Sequence, residues 1–351
     1  MGGMINVAHI GKIKKNTQTL SDKKEKHPKK IKTKYKISYQ EKERTHNMGD
    51  TINLEHYKVK PHQKVDLSKF HTTCDVHIDK QQVKNELFPK VLMDIQNLQE
   101  KLYAQNSYGL VVVLQAMDAA GKDGTVNHVF SRLNPGGVHV VSFKQPSVEE
   151  KDHDYMWRIN KSLPARGDIG IFNRSHYEDV IVTRVHDILK TGKLPHDLVK
   201  KNIWDERYEQ IRNWEKYLAQ NGFPMVKIFL HLSKEEQQKR LIDRIINQQK
   251  NWKFSLSDIN ERQYWDKYMK IYEEIFEETS TDWAPWYVIP ADNKWYTRYL
   301  VARITLQALE KINPDFPKLA PEVEEKLAHF KQLLQNVDPK DLAAIQKALK
   351  N

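Results

Sequence analysis

The chain has 351 residues, a formal net charge of +11, 39% hydrophobic residues and one cysteine. This length holds one large α/β domain with extensions. A single cysteine excludes an internal disulfide framework and fits a reducing cytoplasm, and without a run of about 18 apolar residues no transmembrane helix is expected.

The excess charge is unevenly placed. Residues 1–47 hold 13 Lys/Arg against 4 Asp/Glu, a net of +9. This tail (1–48 in the domain division) has little apolar content and no sustained periodicity, so it reads as disordered. No secretory signal is evident in it. Two readings stand: electrostatic attachment to RNA, polyphosphate or an acidic surface, or a solvated tail without a specific role. Met48 is an alternative start of the protein.

Residues 50–80 read as irregular and extended, wrapping the core; Cys74 has no activating neighbour in sequence and reads as structural or incidental. From Asp79 to Gln105, Val83, Leu87, Val91, Leu92, Ile95, Leu98 and Leu102 follow helical spacing. Leu110–Leu114 is then a β-branched run suited to a strand buried on both faces. It leads through the small-residue loop Met117-Asp-Ala-Ala-Gly-Lys-Asp-Gly-Thr125 into a helix marked by Val126, Val129, Phe130 and Leu133. Strand, glycine loop and helix form the context of a phosphate cradle, in which backbone N–H groups and the positive helix end hold phosphate oxygens. The loop residues Ala119, Ala120, Gly121, Asp123, Gly124 and Thr125 are candidate phosphate contacts, and Lys122 adds a point charge. The match to G-x-x-x-x-G-K-[ST] is imperfect. Ala116 stands at the first glycine, and Asp123 replaces the Ser/Thr, with Thr125 two residues on. Asp118 inside the loop would repel phosphates unless a divalent cation lies between them.

Asn134-Pro-Gly-Gly137 is a turn, Val138–Phe143 a second strand, Val148–Leu163 a helix with an acidic start, and Asp168–Phe172 a third strand. At its end sits Asn173-Arg174-Ser175-His176-Tyr177-Glu178-Asp179, where ligands of parallel sheets gather. Asn173 can bind magnesium-bound water, and Arg174 offers its planar fork to phosphate. His153 and His176 lie in polar segments and read as surface residues. Val180–Leu189 and His196–Asn221 read as helices; in the second, Trp204, Tyr208, Ile211 and Trp214 pack the core. Met225–Leu232 is a fourth strand, and Ser233 with Glu236 forms a capping box for the next helix. That helix carries Arg240 and Arg244 on one face, and the polar segment Asn247–Ser255 follows. Together, at about residues 234–257, they suit a lid over transferring phosphates. Asp258–Glu278 is a further helix and Pro285–Pro290 a fifth strand. A last core helix ends near Ile312, and residues 313–351 form a helical extension of one or two short helices around Asp338-Pro339. Alternating strands and helices indicate α/β architecture: a three-layer α/β/α P-loop nucleotide-kinase-like domain (49–312) with a five-stranded parallel sheet and a helical lid.

Met117–Thr125 and Ile171-Phe-Asn-Arg-Ser-His-Tyr-Glu-Asp179 together resemble the two motifs of the polyphosphate kinase 2 family, and the likeness runs from about residue 60 to about residue 312. The resemblance implies a magnesium-dependent enzyme. It would move the terminal phosphoryl group between inorganic polyphosphate and AMP or ADP, with guanine nucleotides as further candidates. Asp118, Lys122, Asn173, Arg174 and Glu178 would be catalytic, with Asp118 and Asn173 at the metal. Arg240 and Arg244 are expected to bind and neutralise the transferring phosphates, and Lys144, Arg158, Arg184 and Lys253 are candidates, by charge and placement, for tracking the polymer. The family's Trp-Lys-x-Ser lid element corresponds to Trp252–Ser255, and the Asn173/Glu178 combination is similar to the subgroup acting on both AMP and ADP. A homo-oligomer, dimer or tetramer, is expected, with no membrane and no specific nucleic-acid partner. Two rivals stand beside it: an ATP-dependent nucleoside monophosphate kinase, and a nucleic-acid-binding protein with a regulatory P-loop.

Overall fold

In this computed structural model, the described residues are 52–190 and 192–336. The tail, Met48 and the region around Asp338-Pro339 lie outside them. Strands β1 (Leu110–Ala116), β2 (Val138–Ser142), β3 (Ile169–Asn173), β4 (Met225–His231) and β5 (Trp286–Pro290) form one parallel sheet in the order β2-β3-β1-β4-β5. The longer helices are α1 (Phe88–Gln105), α2 (Lys122–Phe130), α3 (Glu178–Val185), α4 (Ile203–Gln220), α5 (Lys234–Ile246), α6 (Trp265–Thr279), α7 (Lys294–Ile312) and α8 (Pro321–Asn336).

Successive side chains of a strand point to opposite faces, which produces three layers. Val112, Leu114, Ile171, Ile228 and Ile289 pack with Ile95, Val129 and Leu300 from α1, α2 and α7. On the opposite face, Val111, Val113 and Phe172 pack with Leu218 of α4. Phe229 and Val288 pack there with Val180, Ile211 and Ile275 of α3, α4 and α6. The segment before α1 wraps the β5 edge as expected. Lys58 bridges Tyr287 in antiparallel fashion, and the N–H groups of Val65 and Leu67 donate to Glu277 and Glu273 of α6.

Several boundaries differ from expectation. The single helix expected over 148–163 is two short ones, Val148–Lys151 and Trp157–Asn160. Ser147 and Glu150 close a capping box on the first, and Asp154 accepts from the Met156 N–H ahead of the second. These local carboxylate bonds compete with a continuous helix. The helix expected from His196 begins at Ile203, after a short 3-10 turn at His196–Leu198. The one expected over 258–278 is broken into Leu256–Glu261, a 3-10 turn Arg262–Tyr264, and α6. Ser233 does cap α5, but the Glu236 carboxylate turns to Arg240.

β1 lies between β3 and β4, while the chain leaves it first for β2. Such a reversal of direction opens a crevice at the carboxyl ends of the strands, and the phosphate loop and Asn173–Asp179 both start there.

Gly170 marks a close approach within β3. A Cβ there would lie 2.8 Å from Pro164 Cδ and 2.9 Å from its Cγ, atoms of a rigid ring. Gly170→Ala should therefore lower stability by about 1–3 kcal/mol through overpacking, read as a drop in the urea midpoint; an unchanged midpoint would refute the close packing.

Candidate active site

The loop leaves β1 at Ala116 and reaches α2 through two left-handed residues, Ala119 (φ 63°) and Gly121 (φ 103°). For Gly121 this conformation is free of Cβ strain. For Ala119 it is unusual, and backbone held this way outside glycine clusters at functional sites. The turn leaves the first N–H groups of α2 without intrahelical partners, which is the donor set that a phosphate requires. Lys122 is buried, and its ammonium donates to the carbonyls of Ala116 (2.8 Å) and Met117 (3.3 Å). Burial, together with the charge of Arg174, pushes its pKa down to about 8, against the pull of Asp118 and Glu178.

On the β3 side, Arg174 is also left-handed (φ 66°). Its guanidinium lies 2.7 Å from Asp118 and 3.4 Å from Glu178. Asn173 donates to Asp123 (2.6 Å), tying the end of β3 to the loop. The structure therefore brings Asp118, Lys122, Asp123, Asn173, Arg174 and Glu178 together. Asp258 joins this group: its carboxyl is held up by burial and by Asp118, although Arg244 lies 2.6 Å away.

On the other side of the loop is a basic cavity of about 220 Å³. Ala119, Ala120, Gly121, Gly124 and Thr125 line it together with Arg240, Arg244, Lys250, Lys253, Lys294 and Arg298, and Asp243 is its acidic residue. Arg240 is buried and braces the cavity wall, as every N–H-bearing nitrogen of its guanidinium is engaged. One terminal nitrogen reaches the carbonyls of Ala119 and Ala120, the other those of Ala291 and Asp292, and Nε reaches Glu236.

Three expected polymer contacts lie elsewhere. Arg158 is buried, donating to the Lys144 carbonyl and approaching Asp179 and Glu150. Burial pushes the Asp179 carboxyl up to about 6, with Arg158 and Arg207 opposing. Arg184 pairs with Glu274 (2.7 Å) and the Tyr208 hydroxyl. Lys144 is exposed just beyond β2. None of the three lines the cavity.

His176 requires a correction: it is fully buried, 3.3 Å from Glu215 and packed against Tyr177 and Trp214. Its partner comes from α4, which the local polar sequence does not reveal. Burial lowers its pKa despite Glu215, so it is neutral at neutral pH. Glu215 also accepts from the Tyr177 hydroxyl (2.8 Å) and from Lys227 of β4 (2.6 Å). Lys227 donates to the Thr279 carbonyl as well. This buried cluster lies directly under the segment that carries Arg174 and Glu178. Sequence reasoning also missed Lys250, Lys294 and Arg298. The available signal was Lys294 and Arg298 four residues apart just after β5, where ligands gather.

A divalent ion fits the donor chemistry. Among the described residues, no three His, Cys, Asp or Glu side chains gather as a metal cage. Magnesium, however, takes one or two carboxylates together with substrate phosphates and waters. Asp118, partly exposed beside the cradle, supplies such a carboxylate.

Comparison with known proteins decides the family, for the Polyphosphate kinase 2 (PPK2) profile matches residues 77–317. The chain belongs to the polyphosphate kinase 2 family. It is 44% identical over 285 residues to the ADP-polyphosphate phosphotransferase of Rhodopseudomonas palustris, covering 81% of this chain and 99% of that one. It is 41% identical over 266 residues to the AMP/ADP-polyphosphate phosphotransferase of Meiothermus ruber, covering 76% and 96%. The crystal structure of polyphosphate kinase 2 from Arthrobacter aurescens TC1 superposes with a TM-score of 0.70 at 39% identity, over 78% of this chain and 95% of that one. A polyphosphate kinase of this family has the P-loop kinase-like sheet expected from the sequence. Among the described residues, no helix is long and apolar enough to cross a membrane.

Removing one partner of a buried ion pair leaves an uncompensated charge at a cost of about 3–5 kcal/mol. Lys227→Met should therefore destabilise this kinase by about that amount, and Lys227→Met with Glu215→Gln by much less. Equal losses in the two variants, measured by denaturant unfolding, would show that the pair is not coupled.

Proposed function

We propose that this enzyme transfers the terminal phosphoryl group of inorganic polyphosphate to ADP and to AMP, reversibly and directly, with magnesium. Membership of the family and the names of its relatives favour this over an ATP-dependent nucleoside monophosphate kinase. The observation that carries the reading is the loop's position between two unlike sites. One is the cationic cavity at Gly121–Thr125, and the other is the mixed-charge group at Asp118, Arg174 and Glu178. A polyanionic donor and a nucleotide acceptor both need access to a single cradle, and the transferring group must lie between them in line.

In this reading, the cradle N–H groups and Lys122 hold the transferring phosphate, and Arg174 exchanges its carboxylate partners for phosphate oxygens. Asp118 and Asn173 would hold the magnesium ion, which would supply positive charge to offset that of the phosphates. Arg244, Lys250, Lys253, Lys294 and Arg298 offset the negative charge of the polymer, and closure of 234–257 as a lid excludes water. No protein nucleophile is required. Glu178, next to Arg174, positions the shorter acceptor AMP; guanine nucleotides are candidate acceptors as well.

The test incubates the protein with magnesium and long-chain polyphosphate plus either AMP or ADP, and separates the products by chromatography. ATP from both acceptors is expected. ADP formed only when ATP replaces polyphosphate would identify the monophosphate kinase instead. Glu178→Asn should reduce kcat/KM for AMP relative to ADP by about tenfold or more, the scale of a lost specific polar contact; an unchanged ratio would remove Glu178 from acceptor choice. Lys122 must be charged to hold phosphate and loses its proton as pH rises through about 8 in the free enzyme. Because kcat/KM reports the free enzyme, its profile should show an alkaline limb near that pH. The kcat limb should lie higher, since bound phosphate keeps the ammonium charged. Coincident limbs would refute this role.

A further inference from the structure

We propose that residues 72–75, in the segment that wraps the β5 edge, are a clamp that positions Lys294 and Arg298 of α7 for the polyphosphate chain. This rests on the reading of the basic cavity as the polymer's site. Three sets of bonds join the stretch to the start of α7. The Asp292 N–H donates to the Thr72 carbonyl (2.8 Å). The Cys74 N–H donates to the side-chain carbonyl of Asn293 (2.8 Å). The Tyr57 hydroxyl donates to Asp75 (2.7 Å), and the Tyr296 hydroxyl lies 2.6 Å from that of Tyr57 and 3.3 Å from the same carboxylate oxygen. Tyr57 and the clamp precede residues 77–317, the part of the chain that matches the family.

Asn293 shows how specific the contact is. It stands at the N-cap of α7, where an asparagine ordinarily accepts from the first N–H groups of its own helix. Here the side chain makes no such bond and goes to Cys74 instead. Tyr296 sets the rotation of the helix. Lys294 and Arg298, four residues apart, share one face, and Tyr296 midway between them lies on the other, fully buried. A bond at the Tyr296 hydroxyl therefore turns the cationic face toward the cavity, which Lys294, Thr297 and Arg298 line. Charge makes such a hold necessary. Burial, with Arg240 and Lys250 nearby, lowers the pKa of Lys294 against the pull of Glu236, and burial with Arg240 does the same to Arg298. Like charges thus press the first turn of α7 away from α5 until a polyanion enters, and the bonds to residues 72–75 oppose that pressure.

Steady-state kinetics on the full-length protein, with polyphosphate and ADP varied separately, test this. Asp75→Ala should raise KM for polyphosphate several-fold while kcat and KM for ADP stay at their wild-type values. Asp75→Asn keeps an acceptor for both tyrosines and should restore most of the loss. In a chain already carrying Lys294→Ala and Arg298→Ala, Asp75→Ala should add little, because the groups it positions are gone; an equal added loss would refute the clamp. Equal rises in both KM values, or a fall in kcat alone, would mark a general structural role and overturn it as well. If Lys294→Ala with Arg298→Ala leaves KM for polyphosphate unchanged, the cavity is not the polymer's site and the clamp falls with that reading. A raised KM in that pair beside an unchanged one in Asp75→Ala refutes the clamp alone.

Discussion

The guanidinium of Arg240 joins the three parts from which the site is built. It rises from α5 and donates to carbonyls at Ala119 and Ala120 in the phosphate loop and at Ala291 and Asp292 after β5. Carbonyls turned outward by a left-handed residue such as Ala119 need donors when buried, and a planar fork can satisfy several at once. The loop can thus keep its N–H groups aimed at the crevice while its oxygens are held from behind. Glu236, one turn earlier on α5, holds Nε and fixes the side chain in that pose. Arg240 thereby also anchors α5, the helix with which segment 234–257 begins.

A second constraint acts from beneath. Lys227 and Glu215 form a fully buried ion pair, with Tyr177 and His176 bonded to the same carboxylate. Burial pushes Lys227 down to about 8 against the pull of Glu215. For Glu215, burial acts upward, but Lys227 and His176 outweigh it and hold the carboxyl below its ordinary value. The pair therefore stays charged at neutral pH, and its bonds to His176 and Tyr177 hold the chain just after Arg174. Buried charges of this kind contribute little net stability, so their role here is to position the segment.

Part of the charge in the site is paired within the protein. Arg174 is held by Asp118 and Glu178, Arg244 by Asp258, and Lys250 by Asp243. These three cations are thus kept in place by carboxylates, and an incoming phosphate competes with those carboxylates for them.

Much of this was legible in the chain itself. Local patterns determined the five strands, the phosphate loop and the motif after β3, because alternation, glycine placement and strand-end position act over a few residues. Tertiary structure decided what depends on partners distant in sequence. His176 reads as a surface residue but is buried, because Glu215 reaches it across 39 positions. Arg240 reads as a phosphate contact, yet its donors go to backbone carbonyls 120 residues upstream or more than fifty residues downstream. Arg158 and Arg184 look equally free and are held by Asp179 and Glu274. Lys294 and Arg298 join the cavity only because β5 ends beside β4. A sequence states which groups can carry charge and where strands end; which carboxylate meets which cation is set by the packing of the sheet.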